Sequence, residues 1–178
     1  MRRRKSRYRR DVNYLFVDGY NIMNQFSNLK NLMELDLEQA REKTMDMMAE
    51  FASSTGEYVI LVFDGYLVKK SPGSNYMHKG IEVVFTKEFV TADHYIEREL
   101  DKIGRLRDVR VATSDNIEQQ MILSRGGIRL SARELEAEII NERLKTKRHQ
   151  KMLKQEKLNS MGDNLEILKK LKEDYLER

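Results

Sequence analysis

The chain of 178 residues has no cysteine, no tryptophan and a single proline. Without cysteine it can form neither disulfides nor thiolate zinc sites, and its three histidines lack metal-binding spacing such as HExxH. No apolar run approaches the roughly 18 residues of a membrane-spanning helix. The run YLFV after the basic start is too short for a signal-peptide core. We therefore expect a cytoplasmic protein without a membrane partner, in which oxygen atoms hold any bound metal.

Several common catalytic motifs are also missing. The sequence contains no Ser-His-Asp arrangement, no Walker lysine loop and no GxGxxG. Their absence disfavours acyl transfer, ATP hydrolysis and dinucleotide binding. The length suits one domain with a substantial core.

Short apolar runs alternate with helical patterns along the chain. Runs rich in β-branched and aromatic residues predict buried strands over 14–17, 58–63, 81–85, 109–112 and, more weakly, 127–130. Apolar residues at steps of three and four predict helices over 36–53, 91–104 and 116–124, the second with Thr91 as N-cap. A capping-box match at Ser131-Ala132-Arg133-Glu134 predicts a further helix. This order predicts an α/β protein with a mainly parallel central sheet.

Two segments fit that pattern less well. Residues 65–80 contain the only proline and several turn formers, which predicts a mobile surface loop. From residue 141 the chain is polar on almost every helical face, and Gly162-Asp163 predicts a break before a last amphipathic helix. We therefore divide the chain into a basic N-terminal arm (1–12), a domain (13–142) and a basic, helical C-terminal extension (143–178).

Four aspartates lie where a predicted apolar strand gives way to a turn or helix: Asp18, Asp64, Asp93 and Asp115. The carboxyl ends of parallel strands meet at one edge of the sheet, where ligands bind. Carboxylates gathered there repel one another unless a cation lies between them. We therefore predict a Mg²⁺ or Mn²⁺ site that includes Glu97, one helical turn after Asp93.

A polar residue accompanies the first of these acids, and each acid also has an ordinary structural explanation. Asn21 follows Asp18 in DGYN and is placed to bind a phosphate or steer a metal-bound water. Asp-Gly is common in turns, a first-turn Asp93 suits the helix dipole, and Ser114 or Asp115 could simply cap a helix. These alternatives stay open, but together the acids indicate metal-assisted hydrolysis of phosphate esters.

The basic residues are unevenly distributed. The first ten residues carry seven Arg or Lys and no acid, so the net charge of +4 leaves −3 for the rest, and residues 143–157 hold seven more against Glu156. Such segments attract a polyanion, although both could be solvated surface. The predicted RNA-binding residues lie in the arm, in the 65–80 loop and at the helix after Asp115: Arg2, Arg3, Arg4, Lys69, Lys70, Lys79 and Asn116.

Five segments resemble a known family, in the right order: VDGYN (17–21), VFDG (62–65), GIEVVFTKEFVTADHYIE (80–97), VATSDN (111–116) and GIRLSARELEAEI (127–139). Over roughly residues 13–142 the chain is similar to the YacP-like branch of the NYN-domain family, within the PIN-like nucleases. The resemblance implies a three-layer α/β/α fold and an endoribonuclease that cuts single-stranded RNA with Mg²⁺ or Mn²⁺.

The same resemblance implies residue roles and partners. The acidic cluster would be Asp18, Asp93 and Asp115, with Asn21 as polar companion and a less defined role for Asp64. Bacterial members look like ribosome-associated enzymes that cleave mRNA during translation, so the implied partners are mRNA and the ribosome. The arginine-rich arm is outside the family pattern.

Two other functions compete with this hypothesis. One is a non-catalytic RNA- or ribosome-binding module with a vestigial acidic pocket, in which the basic segments carry the function. The other is a small-phosphoester hydrolase, against which the missing DxD motif and the basic segments weigh.

Overall fold

The computed structural model describes residues 7–9, 11–65, 73–103, 109–114 and 127–176. The strands found there are β1 (Tyr14–Asp18), β2 (Tyr58–Phe63), β3 (Ser74–His78), β4 (Ile81–Phe85), β5 (Val109–Ala112) and β6 (Ile128–Leu130). The helices are α1 (Gly19–Gln25), α2 (Ser27–Leu35), α3 (Leu37–Thr55), α4 (Ala92–Ile103) and α5 (Ala132–Leu176). The predicted helix over 116–124 lies outside the described residues.

The six strands form one sheet in the order β3-β4-β2-β1-β5-β6. All neighbouring pairs are parallel except β3 with β4. The central strand β1 pairs with β2 on one side, Asp18 opposite Val62, and with β5 on the other, Val17 opposite Ala112. The predicted α/β class with a mainly parallel sheet is therefore confirmed.

Both faces of the sheet are covered by helices, because alternate side chains of each strand enter different cores. Leu15 and Val17 of β1 join the core formed with α1, α2, α3 and the start of α5. Tyr14 and Phe16 join the core formed with α4. Burial on both faces explains why these strands are apolar at successive positions. The three-layer α/β/α arrangement is confirmed.

The last residues of the basic arm pack against the α4 side of the sheet. Tyr8 is only 5% exposed, and its hydroxyl donates a hydrogen bond to Oε2 of the buried Glu99, at 2.5 Å. Arg7 pairs with Glu82, another buried acid, on β4. Arg7 therefore neutralises the buried Glu82 carboxylate, and Tyr8 supplies a hydrogen bond to the buried Glu99 carboxylate.

The prediction of a mobile loop over residues 65–80 was wrong for its second half. Ser74–His78 forms the edge strand β3, antiparallel to β4. The hairpin turn between them is Lys79-Gly80, whose φ angles are +46° and +94°. Two consecutive positive φ values are what a two-residue hairpin requires. The strand escaped detection because SNYMH is polar and mostly exposed, as an edge strand can be.

The predicted helix break at Gly162-Asp163 was also wrong, because α5 continues without interruption from Ala132 to Leu176. A glycine inside a helix costs only ~1 kcal/mol relative to alanine, which does not by itself end a helix. The capping box at its start is confirmed: the Ser131 N–H donates to Glu134 Oε2 at 2.7 Å, and the Glu134 N–H to Ser131 Oγ at 3.3 Å.

The chain divides into two compact units, residues Met1–Ile139 and Ile140–Arg178. In the second unit, Lys147, Lys151 and Lys154 are exposed at steps of four and three residues and share one helical face. No helix among the described residues is long and apolar enough to cross a membrane.

Candidate functional site

The carboxyl ends of β1, β2, β4 and β5 form one edge of the sheet, which we call the carboxyl edge. The chain runs from β1 outward through β2 to β4, and then returns to the other side of β1 as β5. Such a reversal opens a crevice between the two strands concerned, where ligands of open α/β sheets bind. Across it, the Ser114 N–H after β5 donates to Asn21 Oδ1 in α1, at 2.8 Å. Asn21 thus ties the ends of β1 and β5 together.

Asp18 is the last residue of β1 and the N-cap of α1. Its Oδ1 accepts a hydrogen bond from the Asn21 N–H at 3.1 Å. The pKa of the Asp18 carboxyl is raised to about 6, mainly by burial and to a smaller extent by the negative charges of Asp93 and Asp64, while the hydrogen bond from the Asn21 N–H opposes the rise. Two of the other predicted acids, Asp64 and Asp93, therefore lie near enough to Asp18 to influence it electrostatically.

The glycines of both DG motifs are required by close packing at this edge. A Cβ on Gly19 would lie 2.4 Å from Phe63 Cε1, at the end of β2. A Cβ on Gly65 would lie 1.9 Å from the carbonyl oxygen of Thr86, after β4. Neither distance is possible between non-bonded atoms, so glycine lets the Phe63 ring pack against the start of α1, and lets the backbone after Asp64 approach the backbone of Thr86.

Asp93 and Glu97 come to the site on α4, which crosses one face of the sheet. Thr91 caps the helix as predicted, its Oγ1 accepting the His94 N–H at 3.2 Å. Ala92, Tyr95, Ile96 and Glu99 are buried against the body, whereas Asp93 and Glu97 are half-buried. These two acids are four residues apart and therefore share one side of the helix.

The predicted site residues divide into three groups. Asp18, Asn21, Asp64 and Asp93 lie at the carboxyl edge, and Glu97 stands one turn from Asp93 on α4. Lys79 lies at the opposite end of the sheet, where its Nζ is 2.8 Å and 2.9 Å from the two carboxylate oxygens of Asp46. The remaining predicted residues lie outside the described part of the chain: Asp115, Asn116, Arg2, Arg3, Arg4, Lys69 and Lys70.

The donor set suits a hard divalent cation, although it is incomplete in the described residues. Carboxylate and amide oxygens are the ligands that Mg²⁺ and Mn²⁺ favour, and the raised pKa of Asp18 reflects its burial first and the nearby charges of Asp93 and Asp64 second. Among the residues that the structure describes, no three acidic or histidine side chains are arranged to hold a metal ion. Asp115, the predicted third ligand, is not among them.

A buried arginine beside this edge was missed from the sequence. Arg41 of α3 is 7% exposed and donates from Nε to the Tyr20 hydroxyl at 2.8 Å. Its guanidinium lies over the rings of Tyr20 and Phe85, 5.4 Å and 5.6 Å from their centroids. Burial raises the pKa of Tyr20, partly offset by Arg41. The available signal was one basic residue within the apolar stripe of α3.

Comparison with known proteins gives one consistent result. The "Uncharacterized protein YacP" of Bacillus subtilis (strain 168) is 38% identical over 161 residues, 89% of this chain and 94% of that protein. A crystal structure of Rae1 (YacP) from Bacillus subtilis is similar with TM-score 0.69 and 36% identity, covering 91% of this chain and 92% of that chain. The crystal structure of a Rae1 (YacP) mutant from Bacillus subtilis is similar with TM-score 0.67 and 37% identity, covering 77% of this chain and 80% of that chain.

The family assignment confirms the resemblance predicted from the sequence. The YacP-like NYN domain matches residues 15–177. This kind of domain implies a nuclease-type function on nucleic acid and is generally dependent on divalent metal ions. The match spans most of the chain, including the acids of the carboxyl edge, and the YacP relatives are similar in both sequence and fold. The chain therefore belongs to the YacP-like NYN domain family.

Proposed function

We propose that this protein is a metal-dependent endoribonuclease that cleaves single-stranded mRNA in association with the translating ribosome. The observation that carries the proposal is the placement of half-buried Asp18 at the end of β1, tied through Asn21 to the end of β5, with Asp64 after β2 and Asp93 on α4 near enough to influence its pKa. A fold does not keep repelling carboxylates in a partly buried place for its own stability, so their proximity favours a catalytic purpose.

In this proposal Asp18, Asp93 and Asp115 hold Mg²⁺ or Mn²⁺, with Asp64 and Glu97 as supporting acids. A bound divalent ion lowers the pKa of a water and neutralises charge on the phosphate. The chain itself supplies the geometry. Asn21 fixes the distance between the ends of β1 and β5 through Ser114, and its amide nitrogen is available to a phosphate oxygen.

The decisive experiment is cleavage of a single-stranded RNA by the purified full chain. We expect cutting with Mn²⁺ or Mg²⁺, none with EDTA, and none with Asp18→Asn or Asp93→Asn. Asp36→Asn is the matched control, because Asp36 is also an N-cap aspartate, accepting from the Gln39 N–H at 2.9 Å, but belongs to the exposed start of α3. Intact RNA in the wild-type reaction, with ribosomes and translated message supplied, would refute the proposal.

The ribosome association is supported by charge on α5. Lys147, Lys151 and Lys154 form an exposed basic face that suits the phosphates of structured RNA. We expect the triple change of these lysines to glutamine to reduce co-sedimentation with ribosomes in rising salt, while cleavage of a short free RNA is unchanged. Equal co-sedimentation of variant and wild type would contradict this assignment.

The second candidate is an RNA-binding module without catalysis. It is favoured by the absence, among the described residues, of three side chains arranged for a metal ion. It predicts that Asp18→Asn and Asp93→Asn bind RNA like the wild type and that no condition produces cleavage, so the same cleavage assay separates the two functions.

A further inference from the structure

A cavity of about 310 Å³ opens beside the carboxyl edge, between α4 and the β3–β4 edge of the sheet. Its volume is at the lower end of small-ligand pockets. The wall combines apolar and polar groups from β3, β4, the turn after β4 and α4: Ser74, Asn75, Val84, Lys87, Tyr95 and Arg98. The cavity shares α4 with the acids, because Asp93 and Glu97 lie on one side of this helix and Tyr95 and Arg98 on another.

Two cations stand on this wall. Arg98 is exposed, and its guanidinium lies 5.4 Å from the centroid of the Tyr95 ring. Lys87 is exposed and forms no ion pair with any residue that the structure describes. A cavity with two accessible cations beside an acidic cluster has the polarity that suits a phosphodiester chain leading to a metal site.

An exposed aromatic side chain lies in the turn between Lys87 and Val90, both of which line the cavity. Phe89 is 87% exposed and has a φ of +66°, a backbone conformation that bulky residues rarely adopt. It occupies the turn Lys87–Val90, closed by a hydrogen bond from the Val90 N–H to the Lys87 carbonyl at 3.0 Å. Glycine or asparagine would suit this turn position better. A phenylalanine there costs both backbone strain and an exposed ring, and neither cost is repaid by packing.

The turn that carries Phe89 is anchored to the acidic site. The buried Thr86 hydroxyl donates to the Val90 carbonyl, and its Oγ1 accepts the Gly65 N–H at 2.7 Å. Gly65 follows Asp64 directly, and Asp93 lies four residues after Phe89. The backbone of the turn that carries Phe89 is thereby tied through Thr86 to the segment that follows Asp64.

We propose that the cavity and Phe89 form a binding site for an unpaired nucleotide of single-stranded RNA, next to the position of cleavage. A base stacks on the Phe89 ring, and Lys87 and Arg98 bind the adjoining phosphates. A ring accepts any base that is not already stacked in a duplex, so this site selects single strands rather than a sequence. The nucleotide's position relative to cleavage rests on the proposed function, whereas its binding does not.

Binding of a short fluorescein-labelled oligoribonucleotide of mixed sequence to the full chain in EDTA tests the site without cleavage. We expect Phe89→Ala to weaken binding about 5- to 150-fold, the range found for base–aromatic stacking. Phe89→Tyr should bind like the wild type, and so should Glu88→Ala, which truncates the exposed neighbour in the same turn. Phe89→Gly relieves the strained φ, so it should fold at least as well and bind as weakly as Phe89→Ala.

The salt dependence separates the two kinds of contact. Lys87→Gln should make the slope of log affinity against log salt shallower by about 0.7, the value for one phosphate contact on a single strand. Phe89→Ala should leave that slope unchanged, because stacking releases no counterion.

Wild-type affinity in the alanine and glycine variants would overturn the site, as would equal wild-type binding of the oligonucleotide and its duplex. Phe89-dependent binding without any Mn²⁺-dependent cleavage would support the site and refute the proposed nuclease function. Mn²⁺-dependent cleavage by the wild type, with RNA binding unchanged in the Phe89 variants, would support the nuclease function and refute the site.

Discussion

Replacing Asp18 by asparagine should make the metal-free protein more stable at neutral pH, although it removes a proposed metal ligand. The side chain keeps an oxygen to accept the Asn21 N–H, and asparagine is as good an N-cap as aspartate. What it loses is a charge that burial, Asp93 and Asp64 all disfavour. Raising the carboxyl pKa from 3.8 to about 6 corresponds to ~3 kcal/mol of unfolding free energy.

The gain should depend on pH in a defined direction. The folded-state pKa of Asp18 lies above its unfolded value, so the protonated carboxyl favours folding. That contribution is fully present below pH 3.8 and is lost as pH rises through about 6. We therefore expect the free energy of unfolding of Asp18→Asn to exceed that of the wild type by ~3 kcal/mol at pH 7.5 but by only ~1 kcal/mol at pH 4.5.

The assay is urea unfolding at the two pH values, in EDTA, followed by circular dichroism. Asp36→Asn is the control, because it makes the same substitution at an exposed N-cap and should change stability by less than ~0.5 kcal/mol at either pH. If Asp18→Asn were no more stable than the wild type at pH 7.5, the idea of clustered acids would be wrong. A gain equal at both pH values would point to packing rather than charge.

Three further predictions concern parts of the fold near the site. Tyr8→Phe removes the hydroxyl bonded to the buried Glu99 and should cost ~1–3 kcal/mol in urea unfolding; unchanged stability would mean that the residues before β1 are not docked. Gly65→Ala places a Cβ against the Thr86 carbonyl, so we expect a loss of ~1–3 kcal/mol or more, and an unaltered thermal midpoint would contradict that contact. Phe89→Gly should raise stability by ~1 kcal/mol by relieving a positive φ, and a loss on unfolding would show that the ring packs in the folded state.

Much of the fold could be predicted because its strands are buried on both faces. The runs at 58–63, 81–85 and 109–112 match β2, β4 and β5 residue for residue, since continuous burial leaves a continuous apolar signal. The missed strand β3 has only one partner and an exposed, polar sequence. Helices α1 and α2 were missed as well, because each is short and they are separated only by Phe26.

The candidate site could be predicted in part. The positions of Asp18, Asp64 and Asp93 at strand ends and a helix start followed from local pattern, and in the structure Asp64 and Asp93 lie near enough to Asp18 to influence its pKa. Their roles as ligands stay a prediction, as does the part played by Asp115. Arg41 and Phe89 were not singled out, because a buried cation and an exposed ring are recognised only from what surrounds them.

The sequence by itself determined where the buried strands lie, which helices are capped at Thr91 and Ser131, and which family the chain resembles. Those features depend on neighbouring residues, through side-chain period, hydrogen bonds over three residues and short motifs. Only the tertiary structure decided that Asp93 acts on Asp18, that Tyr8 covers Glu99, and that Phe89 faces solvent beside a cavity. The first two are interactions between residues far apart in the chain, and the third depends on which surfaces remain uncovered. Strand order and helix packing determine both the interactions and the exposure.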